Sequence, residues 1–343
     1  METDVEHLKS KFPQKYNGEC EYKLIKKNVF EINISGNNNS KTYKFVKQFR
    51  IDDKEPEQLK RILKEIYFTF SLKNKDYFPK NVEILSSKDK DYIFIVFTDN
   101  AISLKEIINK NFELKEDLIK WIIYQITFGL YYLHSNSIIH HNIKLSNIVI
   151  NERGGISIID YGSSIKKNEK STSFNWQYAS PEILLNADFD EKIDIWSLGI
   201  TILTLYNKDN KLFFSKENNT MTDKLNYIYK KLYQSNSTEE YSYDYDYFRF
   251  LLANSTSEAF EINNELLKNI KNPEAKKLLK KLLSFNPKER LSAKEVLQSE
   301  YLSEFFECDP LEIKEIEYPF DYKEISEKNI DRKRFIELIE KLK

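Results

Sequence analysis

From Tyr22 to Phe49 apolar and polar side chains alternate in three short bursts, Tyr22–Ile25, Val29–Ile34 and Thr42–Phe49, with a polar run from Ser35 to Ser40 before the third. Alternation over so few residues predicts three antiparallel strands, because neighbouring side chains on a strand point to opposite faces. The period then changes. Leu59, Ile62, Leu63, Ile66 and Phe70 recur at helical spacing between Glu57 and about Lys73. Asn81–Leu85 and Asp91–Phe97 return to a strand pattern and complete a small five-stranded lobe. Beyond them, Leu114–His134 reads as a long helix with Leu118, Ile122, Ile126, Leu130 and Leu133 on one stripe. Ile148–Ile150 and Ile156–Ile159 read as a hairpin. The expectation is an α+β chain, a small antiparallel sheet with one main helix followed by a larger, mostly helical region.

Composition narrows the class. At 343 residues with 41% hydrophobic content, the chain has ample material for a core. Fifty-three basic and 54 acidic side chains leave a net charge of -1, which predicts neither a nucleic-acid partner nor a polyelectrolyte. The apolar runs are too short or too interrupted to span a bilayer, and Met1–Ser10 lacks the apolar core of a secretory signal. Cys20 and Cys308 form no metal-type spacing, so a soluble cytoplasmic or nuclear protein is expected. Only 7 glycines occur, well under the usual share of roughly 7%.

The candidate chemistry lies in His140-His141-Asn142-Ile143-Lys144-Leu145-Ser146-Asn147 and in Asp160-Tyr161-Gly162 further on. These resemble the H-R-D-x-K-x-x-N catalytic loop and D-F-G metal loop of a eukaryotic protein kinase. Lys44-Phe45-Val46-Lys47 resembles V-A-I-K, Leu63-Lys64-Glu65-Ile66 the L-x-E-I that follows it, and Ser180-Pro181-Glu182 stands for A-P-E. Ile193 to Gly199 and Leu282 to Arg290 match the supporting helices of the large lobe. The resemblance runs from about residue 20 to 303 and is strongest to the mitogen-activated (MAP) kinase branch, through Lys144-Leu145-Ser146-Asn147 and Phe285-Asn286-Pro287.

The resemblance implies a bilobal organisation: an N-terminal extension over 1–21, a small lobe over 22–99, a large lobe over 100–305 with an insert at about 206–268, and a tail over 306–343 that packs back on the lobes. It implies ATP and Mg²⁺ as ligands, with Lys47 and Glu65 toward the phosphates, Val149 and a gatekeeper Val96 toward the base, and Asn147 and Asp160 toward the metal. Lys144 belongs to the catalytic loop, and Glu182 with Arg290 is predicted as a buried ion pair.

The departures point away from efficient catalysis. Asn142 stands where the catalytic base belongs and offers no basic oxygen. Losing such a base costs about 10² to 10⁴ in rate. Positions 19 to 35 hold no glycine, so the first hairpin cannot hug phosphates. Phe45 replaces a small residue and is predicted to occlude the adenine position. The T-x-Y activation pair falls on Lys170-Ser171-Thr172, and His141 replaces the arginine that grips a phosphate there. Lys47, Glu65, Asp160 and Asn147 then read either as a residual nucleotide site or as an internal polar network.

The expected function is therefore that of an inactive Ser/Thr kinase homologue, a scaffold or allosteric regulator. A weakly active kinase and a structural subunit are the alternatives. Two surfaces are candidates for protein partners, among them kinases and basic docking peptides. One is Tyr241–Phe250, with Tyr243, Tyr245 and Tyr247 at period two, read as an edge strand or extended loop. The other is the acidic tail with Glu312 and Glu315.

Overall fold

The computed structural model describes residues 2–12, 19–35, 41–52, 54–97, 101–169, 174–209, 211–213, 220–233, 243–256, 260–306, 313, 315–326 and 329–342. The small lobe contains α1 (Glu2–Lys11), β1 (Glu19–Lys26), β2 (Val29–Ser35), β3 (Lys41–Arg50), α2 (Pro56–Leu72), β4 (Val82–Ser86) and β5 (Tyr92–Phe97). Its five strands form one antiparallel sheet in the order β1-β2-β3-β5-β4. Pro56 opens α2, where its fixed φ suits the first helical turn, and Leu59, Ile62, Leu63 and Ile66 bury the face toward the sheet. On the other side of the sheet, Leu8 and Phe12 of the N-terminal segment cover Phe30, Ile32, Val46, Phe94 and Val96.

The large lobe follows with β6 (Ala101–Ser103), α3 (Leu104–Asn109), α4 (Glu116–Ser135), β7 (Ile138–Ile139), β8 (Ile148–Asn151), β9 (Ile156–Ile158) and β10 (Ile165–Lys166). Then come α5 (Pro181–Leu184), α6 (Lys192–Asn207), α7 (Met221–Tyr233), α8 (Tyr245–Asn254), α9 (Asn264–Leu267), α10 (Pro273–Leu282), α11 (Ala293–Leu297) and α12 (Ser303–Phe306). Helix α6 is buried along nearly its whole length, and a Cβ on Gly199 would lie 2.7 Å from Leu283 Cδ2, so only glycine lets α6 approach that close. Two short helices, α13 (Lys323–Ser326) and α14 (Arg332–Glu340), end the described chain. The tail returns to the small lobe, where Tyr318, Phe320 and Tyr322 surround Tyr67 of α2 at centroid distances of 5.4, 5.1 and 5.5 Å.

From Tyr243 onward the tyrosine run is not a strand, and Tyr241 and Ser242 lie outside the described residues. Tyr245–Asn254 is α8, and the Asp244 carboxylate caps it by accepting from the Tyr247 amide at 2.8 Å. Every second position is also every fourth, so the spacing of Tyr243 and Tyr247 suits a helical turn as well as a strand. Their rings stack at 4.3 Å against the lobe, while Tyr245 is 37% exposed. Glu315 is exposed; Glu312, the activation pair at 170–172 and the hinge at 98–100 lie outside the described residues.

Candidate active site

The cleft is built where β3, α2 and the β8–β9 hairpin converge. The β1–β2 turn is only Lys27–Asn28, with Asn28 in the left-handed region at φ 62°, so no long loop drapes over the cleft from there. Lys47 on β3 makes two ion pairs, to Glu65 Oε1 at 3.0 Å and to Asp160 Oδ1 at 2.6 Å. Burial alone would disfavour its charge, but the two carboxylates outweigh that and hold the Lys47 pKa above its ordinary value. Glu65 is driven upward by burial, only partly offset by Lys47, since two acids share one ammonium.

Asp160 sits in the left-handed region at φ 75°, a conformation Asp tolerates better than most residues. This turn aims its carboxylate into the cleft. Oδ1 accepts from Lys47; Oδ2 accepts from Asn142 Nδ2 at 2.9 Å and from Asn147 Nδ2 at 3.1 Å. The Asn147 amide also donates to the Asn142 carbonyl at 2.9 Å, which fixes its orientation because a carbonyl can only accept. Asn142 is therefore a donor to the very carboxylate beside it. Lys144 immediately precedes the turn Leu145–Asn147, with extended backbone.

A buried frame carries the loop. Asp194 of α6 accepts from the amides of His140 and His141, both at 2.8 Å, and pairs with His134 Nε2 at 3.0 Å. Burial opposes its charge, yet these donors hold its pKa below the carboxylate norm. The backbone of His141 is left-handed at φ 64°, and its ring lies 5.6 Å from Phe189. Tyr161, fully buried, meets His140 edge-on at 5.0 Å and donates to the Ile158 carbonyl at 2.7 Å.

His140 accepts from the Asn142 amide on Nδ1 and faces the Ile159 carbonyl with Nε2, an arrangement that suits the neutral ring. Burial pushes its pKa below the ordinary 6.5, against partial opposition from Asp194 and Asp160. In the unfolded chain the ring takes a proton first, so this group's contribution is complete above about pH 6.5 and is lost as pH falls below it. The unfolding free energy measured in urea is expected to drop between about pH 7 and 5, by up to roughly 1.4 kcal/mol per pH unit, and less steeply in His140→Asn. Identical slopes in the two proteins would contradict this assignment.

The cleft keeps a cavity of about 470 Å³, lined by Ile25, Val29, Phe45, Phe97 and Val149 at its apolar end and by Lys47, Glu65 and Asp160 at the other. Phe45 lines this space, on the face of β3 that carries Lys47. The expectation for Val96 needs correction. It pairs with Val46 in the β3–β5 ladder, and its side chain is buried on the α1 side of the sheet. Directly paired residues share a face, so Ile95, opposite Lys47, and Phe97, opposite Phe45, belong to the cleft face instead. On the other flank of Asn142, a cavity of about 20 Å³ bounded by Phe174, Asn175 and Ser180 has room for roughly one water.

The sequence profile of the protein kinase domain matches residues 28–302. The chain belongs to the protein kinase domain family. Among similar proteins, mitogen-activated protein kinase sakA of Aspergillus fumigatus is 32% identical over 216 residues, 61% of this chain and 56% of that one. The CTD kinase subunit alpha of Saccharomyces cerevisiae is 28% identical over 237 residues, 66% of this chain and 44% of that one. Mitogen-activated protein kinase 13 of Arabidopsis thaliana is 27% identical over 285 residues, 81% of this chain and 77% of that one. The matched stretch thus spans about half the length of the first two relatives. Among the described residues no helix is long and apolar enough to cross a membrane.

The volume of this kinase cleft lies in the usual range for small-molecule sites of roughly 300–1,000 Å³. Asp160 and Asn147 carry oxygen donors of the kind Mg²⁺ prefers and would be the residues to hold it, in place of the bond from the Asn142 amide to Asp160. When bound, Mg²⁺ would neutralise phosphate charge. Among the chain's own residues, Lys47 would be the one to meet phosphate oxygens, and its pair with Glu65 at 3.0 Å fixes where its ammonium lies. Asn142 has no proton-accepting nitrogen, and its amide is engaged with Asp160. Lys64, Glu169 and Tyr322, which the sequence motifs did not mark, meet beside this cluster. Of these, only Lys64 carried a signal, its place next to Glu65.

Proposed function

We propose that this kinase domain has lost efficient phosphoryl transfer and acts as a scaffold or allosteric regulator through contacts with other proteins. The observation that carries the reading is the 2.9 Å bond from Asn142 Nδ2 to Asp160 Oδ2. The residue in the base position thereby holds the metal-loop carboxylate in an internal network. The short β1–β2 turn and the ring of Phe45 in the cleft add to it, because both weaken the grip on a nucleotide before any chemistry. The resemblance to MAP kinases is carried into this reading as its branch, with the tail and the aromatic residues of α8 as candidate contact surfaces.

A slow ATP-dependent Ser/Thr kinase is the second reading, favoured by the open cavity and by the retained pairs of Lys47 with Glu65 and Asp160. Gene replacement separates the two. Under the regulator reading, cells carrying Lys47→Met behave as wild type while cells lacking the chain do not. If Lys47→Met is present at normal level and equals the deletion, the regulator reading falls.

A further inference from the structure

Glu169 lies just before the activation pair and joins three segments that are remote in sequence. Its Oε1 accepts from Lys64 Nζ of α2 at 2.6 Å, and its Oε2 accepts from the Tyr322 hydroxyl of the tail at 2.6 Å. The Lys166 amide adds a donor to Oε2 at 3.3 Å, and the Glu169 amide returns a bond to the Lys166 carbonyl at 3.0 Å. The carboxylate therefore has partners on both oxygens. Side-chain exposure is 13% for Lys64 and 22% for Glu169, so this pair is far better shielded than a surface ion pair, which contributes little. Tyr322 closes the site from the tail, its ring 5.8 Å from Lys64 Nζ and 5.5 Å from the ring of Phe68.

Lys64 is the residue before Glu65 on α2, so a force on one sets the position of the other. In kinases a phosphate added to the activation segment is gripped by arginine, the one in the catalytic loop among them. Here that arginine is His141, whose ring lies by Phe189, while a permanent carboxylate already reaches α2. We infer that Glu169 is a positioning residue: by clasping Lys64 and Tyr322 it holds α2 inward, keeping Glu65 on Lys47 without phosphorylation of the activation segment. Glu169 itself touches no ligand of the cleft. It acts through α2.

The test is amide hydrogen exchange on the full chain, which needs neither nucleotide nor phosphoryl transfer and so stands apart from the functional reading above. Three proteins are compared after phosphatase treatment: wild type, Glu169→Gln, and the charge exchange Lys64→Glu with Glu169→Lys. Glu169→Gln is expected to speed exchange across residues 59–70 by about tenfold while α6 and α10 stay as in wild type. The charge exchange is expected to recover most of the protection. Loss of α2 protection in phosphatase-treated wild type would overturn the inference. So would unchanged exchange in Glu169→Gln, equal loss in α6, or no recovery on exchanging the charges.

Discussion

Glu182→Ala is expected to lose about 3–5 kcal/mol of stability. Arg290 meets Glu182 in a bidentate pair, at 2.5 and 2.7 Å, with both side chains fully buried. The three remaining guanidinium donors go to the carbonyls of Ser284 at 2.8 Å, Phe285 at 3.0 Å and Lys192 at 3.3 Å, so the cation is saturated. Removing the carboxylate leaves that cation buried without its counter-charge, which is why the loss exceeds that of an exposed pair. Chemical denaturation measures it directly. Replacing both partners by apolar residues of similar volume should cost much less than the sum of the two single truncations. A Glu182→Ala midpoint within about 1 kcal/mol of wild type would refute the buried pair.

The second large effect is at Asn142. Asn142→Asp replaces the amide that donates to Asp160 by a second carboxylate at the same 2.9 Å contact. Glu65 already lies in this cluster with a single ammonium, Lys47, between three acids. Like charges at that separation repel, and at the partial exposure of Asp160 the cost is roughly 2 kcal/mol. A divalent cation relieves it. The variant is therefore expected to melt several degrees below wild type in chelator and to regain most of the difference in excess MgCl₂. Wild type should respond little to either condition. Equal melting of both proteins in chelator would show that Asn142 does not bond to Asp160.

Much of the fold was readable because its elements change period sharply: alternation in the strands, then the spacing of Leu59, Ile62 and Ile66 in α2. The site residues were readable as motifs, but their partners were not. Nothing local in the sequence joins Asn142 to Asp160, since that contact depends on how the catalytic loop and the β8–β9 hairpin meet. Val96 went astray by one position, and on a strand one position reverses the face. The tyrosine run went astray because a period of two contains a period of four; Asp244 as a helix cap, with Phe248 and Leu251 following, was the signal that decides it. The helix Glu2–Lys11 was marked only by the spacing of Leu8 and Phe12, too short a pattern to separate from chance. Glu169 and Tyr322 bear no motif, and only the folded tail brings them together.

We propose that this kinase fold no longer transfers phosphate efficiently. The most direct test is phosphotransfer from labelled ATP with Mg²⁺ to the chain itself and to a mixed protein acceptor, comparing wild type with Lys47→Met. No label above the Lys47→Met background is expected; wild-type transfer that is abolished by Lys47→Met and by Asp160→Asn would show an active kinase instead.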